Sequence, residues 1–98
     1  MSLKFEQLHD ASLVAIHFDW LAKTCTFSFQ GAPTLLHAFT LTFSGVTEVS
    51  IPSSAPWGVS VSVLEAKDCG SGKFQLTMQS GDTISVVAPN YAIKVTAE

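Results

Sequence analysis

The sequence predicts an all-β domain, with about seven mainly antiparallel strands in a meander that closes into a small barrel or sandwich. Three observations carry that expectation. Apolar and polar residues alternate with period two through most of the chain. Helical periodicity holds nowhere for three turns. Polarity comes from hydroxyls, twelve Ser and nine Thr, and Thr favours strands while both are indifferent helix formers. Ninety-eight residues leave room for one domain spanning 1–98. Residues 1–3 and 98 read as expression-derived and take no part in the functional argument.

Residues 3–9 allow one short helical turn before the first strand. Val14, Ile16, Phe18 and Trp20 then alternate with Leu13, Ala15, His17 and Asp19, and Cys25, Phe27 and Phe29 continue the pattern after a break. Pairing Phe18 with Cys25 sets Ile16 opposite Phe27, Val14 opposite Phe29 and Asp19 opposite Thr24. The loop Trp20–Lys23 closes this hairpin. A third strand carries Phe39, Leu41 and Phe43 on one face; Gly45 then permits a bend before Val49 and Ile51 resume the apolar parity. Pro52-Ser53-Ser54-Ala55-Pro56 reads as a loop, and Trp57, Val59, Val61 and Val63 as the apolar face of the next strand.

The final hairpins follow from turn chemistry. With Gly81 left-handed after a type I turn, Met78 faces Asp82, Leu76 faces Ile84, Phe74 faces Val86 and Thr77 sits beside Thr83. A two-residue Ser80-Gly81 loop would set Leu76 against Ser85 and is rejected. Extending the registers pairs Val59 with Met78 and brings Trp57 toward the Gly81–Asp82 turn. A reversal at Pro89-Asn90 would match Tyr91, Ile93 and Val95 with Ala88, Val86 and Ile84. Each strand then has one apolar face, and burying each large side chain is worth roughly 1.5–3 kcal/mol, so the sheet must curl, fold over or pair with a second copy.

Composition excludes several function classes. All five basic residues are lysines (Lys4, Lys23, Lys67, Lys73, Lys94), scattered along a chain of net charge −3 that has no arginine. Nucleic-acid binding is not expected without the residue suited to bidentate phosphate and base contacts. No secretory leader and no membrane-length apolar run is present, so the expectation is a cytoplasmic protein with no membrane partner. Cys25 reads as a buried hydrophobe and Cys69 as an exposed turn residue.

Candidate chemistry is sparse, and no catalytic residue, metal ligand or cofactor is assigned. His9-Asp10 resembles an acid–base pair, but neighbours in an extended chain point opposite ways, and a turn at the strand entry explains them more simply. His17 and His37 belong to no His/Asp/Glu cluster of metal-binding spacing. Gly70-Ser71-Gly72-Lys73 lacks the upstream glycine and following Ser/Thr of a phosphate loop, and a strand follows it; it reads as a hairpin turn. Trp57, Gly58, Gly81 and Asp82 form the candidate binding patch, with His9 and Asp10 beside it. The structural alternative is Trp57 as a lid on the core, its indole N–H bonded to Asp82 or a carbonyl. The hydroxyl faces carry few charges and are cheap to cover, which suits either a partner or cross-strand hydroxyl pairing.

The string Leu8-His9-Asp10-Ala11-Ser12-Leu13, with Ile16, Asp19-Trp20, Gly45-Val46, Pro56-Trp57-Gly58 and Met78-Gln79-Ser80-Gly81-Asp82, resembles a group of small bacterial β-domain proteins. It is more loosely similar to β-rich toxin-immunity proteins. The resemblance implies stoichiometric binding of a protein partner and carries over no functional residue. The leading expectation is therefore a non-enzymatic protein-interaction domain, immunity-type or regulatory, with a protein partner or a homo-oligomer. The alternatives are a small-ligand-binding β-barrel and a hydrolase-like enzyme using His9/Asp10 or Asp82.

Overall fold

The computed structural model describes residues 5–32, 37–54 and 57–95. Residues 1–3 and 98, expected to be expression-derived, lie outside them, as do Ala55 and Pro56 of the expected loop. A 3-10 turn at Phe5–Gln7 precedes eight strands: β1 (Ser12–Asp19), β2 (Thr24–Gly31), β3 (Phe39–Ser44), β4 (Glu48–Ser50), β5 (Val63–Asp68), β6 (Lys73–Met78), β7 (Thr83–Val87) and β8 (Asn90–Val95). They form two antiparallel four-stranded sheets, ordered β1-β2-β3-β8 and β4-β7-β6-β5. The architecture is all-β as expected, with eight strands in place of seven among the described residues and no closed barrel.

Short loops set the local registers. In the first hairpin Phe18 faces Cys25, Ile16 faces Phe27 and Asp19 faces Thr24. The Asp19 carboxylate accepts the Ala22 N–H at 2.9 Å and holds the four-residue turn. At the last hairpin Gly81 has φ +101°, Met78 N–H donates to Asp82 O and Gly81 N–H to Met78 O, and Leu76 faces Ile84. Gly45 takes φ +72° at the expected bend. Cross-strand hydroxyl pairs follow from these registers, Thr26 with Thr42 at 3.2 Å and Thr77 with Thr83 at 3.4 Å.

Three expected pairings are corrected. Val14 does not face Phe29: register shifts on either side of Leu13 put Leu13 there and turn Val14 outward, 63% exposed. Val59 does not pair with Met78. Counting back from the Gly70–Gly72 turn sets Ala66 against Leu76 and Val63 against Met78, which uses up β6 and leaves residues 57–61 outside the sheet. The four-residue slip conserves parity, so buried Val63 takes the place expected for Val59. Finally, β8 does not return to β7. Both edges of β7 are taken, by β4 and β6, so the chain crosses to the other sheet, where Tyr91 faces Phe43 and Ile93 faces Leu41.

The inner faces meet in one core. Phe43 of β3 and Phe74 of β6 approach to 5.1 Å between ring centroids, and Phe5 and Tyr91 complete the cluster. Cys25 is buried beside it, and burial raises its thiol pKa, whereas Cys69 is exposed. The sheets are stitched at one corner, where Ser12 bridges Ser62, Leu13 N–H donates to Val61 O and Val63 N–H to Ala11 O.

Phe43→Ala should lower unfolding free energy by about 3–5 kcal/mol in urea titrations, because it removes a ring that touches both sheets. A disulfide-exchange reagent should titrate Cys69 alone in the native protein, and Cys25 only once denaturant is added.

Candidate functional site

The β6–β7 turn is the organising element of one end of the molecule. Asp82 is buried, and its Oδ1 accepts both the backbone N–H and the hydroxyl of Ser54 at 3.0 Å, while Oδ2 accepts the Ser80 hydroxyl at 2.9 Å. Ser80 O accepts the Trp57 N–H at 2.9 Å. On the other side Gln79 N–H donates to Ser62 O, and the Gln79 side-chain amide donates to Asp10 Oδ1 at 2.8 Å. The turn thus ties Ser54 and Trp57 to the strand entry at His9-Asp10.

The six candidate residues are accordingly gathered around one turn, in different roles. Asp82 is an internal anchor whose carboxylate holds the neighbouring loop and offers little surface. Trp57 is 75% exposed, so the lid reading is corrected: its backbone is pinned while its ring stands clear of the core. Gly58 is exposed at φ +116°, and Gly81 supplies the left-handed position of the turn.

His9 and Asp10 form a turn at the strand entry, as expected. Asp10 adopts φ +66°, a left-handed conformation that Asp tolerates, and this bend brings its Oδ2 to 3.2 Å from His9 Nδ1. The pair is a solvent-facing imidazole–carboxylate contact braced by Gln79, with no nucleophile bonded to the imidazole among the described contacts. Its geometry orients a ring but supplies no nucleophile–base dyad. Among the described residues no group of three or more His, Cys, Asp and Glu side chains is placed to hold a metal ion.

A feature the sequence reading did not single out lies on the side of the molecule. Beyond Leu13 the outer edge of β1 has no neighbouring strand among the described residues, and β4 is likewise an edge. Two open grooves run between them. One, of about 270 Å³, is lined by Leu13–Ile16, Ile51, Pro52, Val61 and Met78. The other, of about 360 Å³, is lined by Phe18, Trp20, Lys23, Val49 and Ile51. Ile51 lines both, so the two grooves adjoin as a channel of mixed lining, with Ser60, Ser80 and Asp82 also in the first and Thr47 and Glu48 also in the second. Val14, Val61 and Trp20, exposed apolar side chains, are among the lining residues. The signal in the sequence was the apolar run 57–63, too long for the strand available to receive it.

No family model, curated protein or solved structure matches the chain. No helix among the described residues is long and apolar enough to cross a membrane.

Asp82→Ala should cost about 1–3 kcal/mol in equilibrium unfolding, since it strands the buried Ser80 hydroxyl and frees the loop held at Ser54. Trp57→Ala, at a ring standing in solvent, should change stability by no more than about 0.5 kcal/mol in the same assay.

Proposed function

We propose that this domain is a non-enzymatic protein-interaction module that receives an extended segment of its partner along the outer edge of β1. One observation carries the reading. From Val14 to Asp19 the outer edge of β1 carries no Lys, Arg or Pro and a single carboxylate, Asp19, and among the described residues no strand pairs with it where it runs beside the channel. Soluble proteins usually blunt such an edge with charge, proline or cover. The other long edges follow that rule: β8 carries Lys94, while β5 carries Glu65, Lys67 and Asp68 and packs against the 3-10 turn. Strand addition supplies affinity through main-chain hydrogen bonds, and pockets for alternate side chains supply selectivity.

Trp57, whose N–H is held by Ser80 of the first groove's lining, contributes a large exposed aromatic surface of the kind enriched in binding hot spots. An immunity-type role in a bacterial cytoplasm, with stoichiometric occupation of a toxin, is the form of this reading that the sequence resemblance supplies. A regulatory module would use the same edge. For a small ligand enclosed in the interior, the central space is already taken by Phe5, Phe43, Phe74 and Tyr91.

Affinity capture from source-cell lysate should retain a protein on the wild-type domain, and Val14→Lys should weaken that retention at least tenfold with the fold intact. Retention lost in Trp57→Ala but kept in Val14→Lys would move the contact to the turn end and remove strand addition.

A further inference from the structure

We propose that β1 also pairs with β1 of a second copy of this chain, antiparallel and centred on Phe18, in a reversible homodimer. This deepens the strand-addition reading and rests on the same open edge. The argument is complementarity along a five-residue stretch. A two-fold axis at Phe18 sets Phe18 against itself, Ile16 against the second copy's Trp20, and His17 against the second copy's Asp19, with both cross-pairs occurring twice. Apolar residues thus meet apolar residues on the channel face, and imidazole meets carboxylate on the solvent face.

Neighbouring registers do not achieve this. Centring on His17 sets imidazole against imidazole and Ala15 against Asp19, while centring on Ile16 sets Leu13 against Asp19. Pairs directly opposite on one face are the unit of sheet stabilisation, so these mismatches select the Phe18 register.

The backbone is suited to it. The irregularities of β1 lie between Ser12 and Ala15, whereas Ala15–Asp19 keeps an unbroken register with β2 and presents a straight edge. His17 is exposed, and the Trp20 ring sits edge-on to Phe18 at 5.7 Å, which keeps it on the channel side of the strand. Asp19 is exposed, and only its Oδ1 is engaged by the Ala22 N–H in the described contact. A net charge of −3 per copy opposes association only weakly, because charges farther apart than about 8 Å are screened at physiological salt.

Sedimentation equilibrium of the full chain over a concentration series tests the proposal. The wild-type mass should rise reversibly toward twice the monomer. His17→Asp, which sets two carboxylates face to face, should weaken dimerisation at least tenfold. His17→Lys, which sets an ammonium against Asp19, should match or exceed the wild type. Indiscriminate edge pairing would instead be weakened by Lys, so equal weakening by both variants overturns the register. A monomer mass at every concentration overturns the dimer. If such a monomer still captures a partner through β1, strand addition stands alone; if the dimer forms and nothing is captured, the dimer stands and the partner reading falls.

Discussion

Phe43 and Phe74 lie on different sheets, and the contact between their rings is the constraint from which the rest of the molecule follows. Each four-stranded sheet has one apolar face, and neither can be dried without the other. Phe5, delivered by the short turn before β1, and Tyr91, delivered by β8, fill the remaining space between them. With charged residues scarce and no disulfide in the described chain, burial of these rings is the principal source of stability. It also fixes how the sheets superpose, and hence which strands become edges.

Sheets of finite width leave edges, and here the edges are treated unequally. At one corner the chain passing through Val61–Val63 pairs with the entry to β1 and closes the seam. Farther along β1 the seam opens, because residues 57–60 do not pair with it. The Ser60 hydroxyl accepts the Ser62 N–H, and Trp57 N–H is held by Ser80. The channel is therefore a consequence of local hydrogen bonding at the β6–β7 turn. Asp82 is central to that arrangement. Its buried carboxylate fixes the loop at Ser54 and so determines where the following segment begins.

An undefended edge has a cost, since the same unpaired amides that accept a partner also invite uncontrolled association. Two features of β1 limit that risk. The shifts around Leu13 spoil the regular geometry of its first half, and the pattern Ile16-His17-Phe18-Asp19-Trp20 rewards one register over its neighbours. The edge is selective because its side-chain order is specific, although its backbone is open.

Amino-acid order by itself determined the all-β class and the registers next to two short turns, those of the first hairpin and of β6–β7. Phe18 opposite Cys25 and Leu76 opposite Ile84 were legible because a short loop leaves few registers, and alternation eliminates those that would turn aromatics outward. Trp57 does reach the turn that carries Gly81 and Asp82, through its N–H to Ser80, although the Val59–Met78 pairing from which this was expected does not form. The roles of these residues were not legible, because burial of Asp82 and exposure of Trp57 depend on segments distant in sequence. Only the tertiary structure decided that β8 joins β3, that β5 begins at Val63, and that β1 beyond Leu13 has no neighbour on its outer edge among the described residues. Hairpin pairing is a local competition settled by a few residues. Pairing between distant strands depends on which edges remain vacant after all the others have paired, and that is a property of the whole assembly.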